Sequence, residues 1–279
     1  MIIDTHVHIY DPFRPEGAPW PDPDNKLLYR TTLPQQVKEQ AVPEQVDGVV
    51  VVEASEWIED NQWILDIAAD DPFVVGLVGR LEPGDEKFEE DLERFAPHPI
   101  FQGIRFWGGY FADVSQNGFI DKMKRVAEKG LVVDVNFPWQ TPDGFFALRE
   151  QVPELKIVLE HVSAVKVNGE APSDEWLETM RRAAENPNTT QKVSALMENS
   201  AQQPAPPDLA YYRPALDAMW EIFGADRLFF GSNWPVCGRA GTYARCIRIV
   251  RAYFAARGLE VTEKFFWRNS QAVYGWQQR

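Results

Sequence analysis

His6 and His8 stand two residues apart in Ile3-Asp4-Thr5-His6-Val7-His8, so on an extended strand both imidazoles point to one face. The chain has only four histidines, and a third, His161, ends another apolar run, Leu159-Glu160-His161-Val162. Imidazoles gathered in this way can ligate zinc or exchange protons near neutral pH. Arg105, in Gly103-Ile104-Arg105-Phe106, presents a planar fork that either clamps a carboxylate or carbonyl oxygen or makes a salt bridge at a rim. Asp134 and Asn136 share a face, as do Lys192 and Ser194, and Glu53 closes a run in which it shares a face with Val49 and Val51. The segment Gly231-Ser232-Asn233-Trp234-Pro235 sets an amide and an indole side by side. Proton acceptors within these runs are Glu53, Asp134, Glu160 and His161. Trp57, Trp107, Trp139 and Trp234 fall near the ends of runs, where an indole can stack on an apolar or sugar-ring face, although most aromatics serve packing. His98, between two prolines, reads as an exposed loop residue.

These residues need a scaffold that brings distant runs together. Apolar, β-branched stretches predict eight strands: Ile2 to Ile9, Val49 to Ala54, Phe73 to Val78, Phe101 to Phe106, Leu131 to Asn136, Lys156 to Val162, Gln191 to Leu196 and Leu228 to Ser232. Helical periodicity lies between most of them: Asn61 to Ala69, Glu86 to Phe95, Asp121 to Glu128, Pro142 to Gln151, Asp174 to Glu185, Leu209 to Phe223 and Tyr243 to Arg257. Eight strand–helix units in 279 residues predict an α/β fold, a single (β/α)8 TIM barrel over residues 1–279, rather than a doubly wound sheet. In such barrels the C-terminal strand ends carry the chemistry, which is where the two early histidines, Arg105 and Asn233 fall. The proline-rich stretches Asp11 to Asp24 and Asn199 to Asp208 read as stiffened loops at that rim.

Composition narrows the partners. A hydrophobic content of 44% with 25% charged residues suits a globular core, and a net charge of −14 repels phosphate backbones and anionic membranes. The expected partner is a small-molecule substrate, with no nucleic acid and no membrane, while a homo-oligomer is left open. No apolar run approaches the roughly 20 residues of a membrane span. Two cysteines, Cys237 and Cys246, form no disulfide framework or Cys-x-x-Cys motif, and together with an N-terminus unlike a signal peptide they point to a cytoplasmic protein with reduced thiols.

Taken in order, Ile3-Asp4-Thr5-His6-Val7-His8, Gly103-Ile104-Arg105, the run with His161 and Gly231-Ser232-Asn233-Trp234-Pro235 resemble the amidohydrolase superfamily. The branch most similar is that of metal-dependent hydrolases that includes sugar-lactone and muconolactone-type lactonases. Gly76-Leu77-Val78-Gly79 and Asn269-Ser270-Gln271-Ala272-Val273-Tyr274-Gly275 extend the resemblance from residue 3 to about residue 275. It implies a hydrolase acting on a lactone or similar cyclic carbonyl compound, with His6, His8, His161 and Asn233 catalytic and Arg105, Asp134, Asn136, Glu53 and Trp234 binding substrate. One divalent metal ion, zinc by preference, would sit on His6, His8 and His161, leaving a position for water; a metal-free site is the alternative. The family usually has aspartate where this chain has Asn233. An amide is not basic near pH 7, so it can orient water but not take its proton. A decarboxylase or hydratase, or a ligand-binding barrel without turnover, are the competing expectations.

Overall fold

The computed structural model describes residues 1–106 and 108–278. The run Gly48-Val-Val-Val-Val52 is buried throughout, as a strand covered on both faces requires. Val50 and Val52 turn inward with Ile3, Val75, Val132, Val158 and Phe229, whereas Val49 and Val51 turn outward to meet Ile64 and Leu65 of a surrounding helix. That two-sided burial repeats around eight parallel strands, in the order β1 (Ile3–Val7), β2 (Gly48–Val52), β3 (Val74–Arg80), β4 (Phe101–Phe106), β5 (Val132–Val135), β6 (Lys156–Leu159), β7 (Thr189–Val193) and β8 (Leu228–Phe230). The segment after β8 completes the ring: Asn233 N donates to His6 O at 2.9 Å and His8 N to Trp234 O at 2.9 Å. The fold is a single (β/α)8 barrel.

The helices are α1 (Pro34–Ala41), α2 (Glu59–Asp70), α3 (Phe88–Phe95), α4 (Phe119–Glu128), α5 (Asp143–Gln151), α6 (Asp174–Ala184), α7 (Leu209–Phe223), α8 (Tyr243–Ala255), α9 (Leu259–Glu263) and α10 (Asn269–Tyr274). Their starts follow local chemistry: the Ser173 and Thr242 side chains accept from Trp176 N and Arg245 N and so cap α6 and α8. The C-terminal segment folds back beneath the barrel. Tyr274 and Trp276 join the inner apolar cluster and close its floor.

Three expectations are corrected. Strand six stops at Leu159 rather than Val162, because His161 to Ala164 form a tight turn with φ between 48° and 54°. Four successive non-glycine residues in the left-handed region carry strain, a β-branched valine most of all. Strand one ends at Val7, before His8. His98 is half-buried, and its Nδ1 accepts from Ile100 N at 3.2 Å, closing a turn.

Candidate active site

His6 lies at the end of β1 with no exposed surface. Its Nδ1 is 3.2 Å from Glu160 Oε1 and 3.5 Å from Lys192 Nζ, while its Nε2 is buried without a hydrogen-bond partner among the described residues. Burial, and then the positive charge of Lys192, holds the His6 imidazole well below its ordinary pKa. His8 follows on the same face, with Nδ1 3.1 Å from Val52 O, and burial pushes its pKa down to about 4. The strained turn after β6 aims His161 at the same place, its Nδ1 3.0 Å from Ser194 Oγ, and burial brings its pKa down to about 3. Ring centroids of His6 lie 5.0 Å from His8 and 4.6 Å from His161. All three rings are therefore neutral at pH 7.

Arg105 faces this cluster, held by two carboxylates: Nε donates to Glu160 Oε2 at 2.8 Å and Nη1 to Glu53 Oε1 at 3.1 Å. Burial disfavours the guanidinium charge, but Glu160 and Glu53 more than compensate and raise its pKa. Burial works against the Glu160 carboxylate too, and Arg105 prevails and lowers it; in Glu53 burial prevails and the carboxyl is raised. Strand parity would send Glu53 outward with Val49 and Val51. Because β2 ends at Val52, Glu53 instead bends inward to the arginine.

A cavity of about 780 Å³ opens above these groups, lined by His8, Trp20, Glu53, Arg105, Asn136, His161, Asn233 and Arg239 among others. Two expected substrate contacts lie elsewhere. Asp134 is wholly buried at the barrel floor, where its Oδ2 accepts from Lys192 Nζ at 2.5 Å and both oxygens accept from Tyr274 Oη at 2.8 Å. Trp234 packs into the core, with the Arg30 guanidinium 5.8 Å from its ring centroid. Among the described residues, the indole that lines the cavity is Trp20, from the proline-rich loop after β1, its ring centroid 5.8 Å from that of His8. Trp57 and Trp139 are not among the cavity-lining residues, and Trp107 lies outside the described residues.

Asn233 sits at φ 61° on the turn after β8, and its Nδ2 donates to Glu198 Oε1 at 2.8 Å. Beneath it, Asp4 ties three elements: Oδ1 accepts from Ser232 N at 2.8 Å and His6 N at 3.2 Å, and Oδ2 from Tyr243 Oη of α8 at 2.9 Å. Sequence reasoning missed Glu198, Trp20 and Arg239. None belongs to a strand, so none falls in a periodic pattern, and only proximity in the fold reveals them.

For a metal, the structure gathers a different trio from the three histidines. One donor atom each of His6, Glu160 and His161 lie within 4.8 Å of one another, with His8 outside that group. The orphaned, buried Nε2 of His6, two neutral imidazoles and an ionised carboxylate form a donor set that suits a divalent ion such as zinc.

A pocket set at the C-terminal ends of eight parallel strands places the chain among the TIM-barrel proteins that work from that face. Within that class the amidohydrolase family model matches residues 3–276, and the chain belongs to that family. An L-fucono-1,5-lactonase from Burkholderia ambifaria is 29% identical over 248 residues, covering 86% of this chain and 82% of the relative. An L-fucono-1,5-lactonase from Burkholderia multivorans is 23% identical over 296 residues, covering 97% and 94%. Among solved structures, an amidohydrolase from Burkholderia multivorans with bound zinc superposes with a TM-score of 0.85 at 21% identity, over 99% of this chain and 100% of the other. A putative 2-pyrone-4,6-dicarboxylic acid hydrolase from Pseudomonas putida gives 0.74 at 17% identity, over 98% and 97%.

Proposed function

We propose that the protein hydrolyses a lactone of sugar-acid type, opening a cyclic ester with water. The observation that carries this reading is the cavity itself, which sets neutral imidazoles, an ion-paired arginine and a carboxylate of raised pKa around space enough for one sugar ring. The two lactonases among the relatives support the substrate class.

Of the expected carboxylate acceptors, Asp134 is walled off at the floor and Glu160 is held ionised under Arg105, whereas Glu53 reaches the cavity. Glu53 accepts the proton of the attacking water, and His8 and Asn233 orient that water. Trp20 offers a face to the ring, and the Arg105 guanidinium stabilises negative charge developing on the carbonyl oxygen. His6, Glu160 and His161 would hold a zinc ion, which when bound polarises a carbonyl and acidifies water. The free, buried thiols of Cys237 and Cys246 accord with a reducing, cytoplasmic setting.

The test is acid release from five- and six-membered sugar lactones, L-fucono-1,5-lactone among them, followed with a pH indicator. Wild-type protein should open at least one, and Glu53→Gln should slow it about 10²–10⁴-fold. A protein that opens none of the panel, with or without added zinc, overturns the reading.

A further inference from the structure

The backbone at Asn233 is fixed on both sides, since its N–H donates to His6 O at 2.9 Å and its carbonyl accepts from Cys237 N at 3.0 Å. What remains free is the carboxamide, which has two donors on one side and an acceptor on the other. Turned one way it offers oxygen to the cavity; turned the other way it offers N–H groups. The choice matters, because an attacking water needs an acceptor for one of its protons.

Glu198, in the loop between β7 and α7, touches this amide directly, with Oε1 2.8 Å from Nδ2. By accepting from Nδ2, the Glu198 carboxylate holds the amide nitrogen on its own side and leaves the oxygen turned away from it, and the Asn233 side chain also hydrogen-bonds the His8 ring. The other carboxylate oxygen, Oε2, is buried with no hydrogen-bond partner among the described residues. A buried, half-satisfied carboxylate destabilises the fold, so its place beside the cavity calls for a functional account.

We propose that Glu198 is a positioning residue, which locks the Asn233 carboxamide with its nitrogen on Glu198 and its oxygen toward the cavity and so makes it an acceptor for the attacking water. The proposal rests on the hydrolytic reading above and gives Asn233 the part of the family's aspartate that an amide can still perform. Burial pushes the Glu198 carboxyl up to about 7, opposed by the Asn233 hydrogen bond and by Arg239; Tyr212, Cys237 and Cys246 are the other titratable groups that feel its charge.

Three variants test it, compared on whichever lactone the wild type opens. Glu198→Gln can donate as well as accept, so it should lower kcat about 10–100-fold while KM stays within about twofold. Asn233→Asp, which sets two carboxylates against each other, should lower kcat as well. The double variant Glu198→Gln/Asn233→Asp restores one acid and one amide with the roles exchanged, and should recover most of the loss. A Glu198→Gln enzyme with unchanged kcat, or a double variant no better than the two single losses combined, overturns the proposal.

A readout independent of turnover separates this from the lactonase reading. In protein labelled with ¹⁵N-asparagine, the Asn233 side-chain amide signal, assigned by its loss in Asn233→Ser, should shift on Glu198→Gln and on Glu198→Ala, the second variant should the first not fold. An unmoved signal overturns the proposal whatever the substrate is.

Discussion

A histidine that is to accept a proton or a metal ion must be neutral when the ligand arrives, and here neutrality comes from burial rather than from a choice of residue. His8 shows the consequence for stability. Its pKa is lowered to about 4 in the folded protein, against an ordinary value near 6.5 once unfolded. Between those values the unfolded chain binds a proton that the folded protein refuses, so stability is lost as pH falls from about 6.5 toward 4, by about 1.4 kcal/mol per pH unit. Above 6.5 the term vanishes. Urea unfolding at pH 7 and pH 5 should therefore show wild type losing about 2 kcal/mol more than His8→Asn, which has no proton to gain. Equal losses in the two proteins would mean that His8 is solvated. The shared face of His6 and His8 is legible in the sequence because their spacing alone sets it. Glu198 was not, because its meaning depends on Asn233, 35 residues away, and on a loop without period.

Positions along the elements decide whether those side chains meet, and the end of β8 is a tight junction at the level of the site. This strand is three residues long, and a Cβ placed on the following Gly231 would lie 2.7 Å from His6 Cβ and 3.2 Å from both Lys192 Cδ and Ser194 Cβ. Only a residue without a side chain lets β8 approach β1 and β7 at the level of the site. Gly231→Ala should destabilise the protein by about 1–3 kcal/mol through overpacking and displace His6, lowering kcat at least about tenfold. Unfolding and kinetics that match wild type would show that the neighbours yield freely. All eight strands were legible, since buried β-branched runs have few other uses. The misses have local causes. α1 buries only Pro34, Val37 and Ala41, too few to trace a helical stripe. Between α9 and α10 the π-helical turn Lys264–Arg268 breaks the 3.6-residue period, so the closing helices left no regular pattern. Likewise the sequence places His161 on a strand because its apolar neighbours continue past Leu159, while the left-handed turn that aims it carries no glycine as a signal.

At the scale of the whole molecule, the barrel gathers into one region charges that the sequence scatters over the chain. Around His6 stand the cations Arg105 and Lys192 and the carboxylates Glu53, Glu160 and Asp134, so opposite charges offset one another without a large excess of positive charge. Such a centre, with neutral imidazoles beside it, is open to a divalent cation, and occupancy then becomes a property of global stability. An ion that binds the folded state alone adds about 2.7 kcal/mol at a hundredfold excess over its Kd. For a protein of this size that corresponds to a rise in Tm of about 5 °C. Protein stripped with a chelator and freed of it should show this rise on addition of zinc. His161→Ala and Glu160→Gln should show little or none, because each removes one of the three converging donors. His8→Asn should keep the rise, since His8 stands outside that trio. A rise that survives loss of His161 but disappears with His8 would place the ion on the pair read from the sequence, and no rise in wild type would mean that the charges of the site are balanced without a metal.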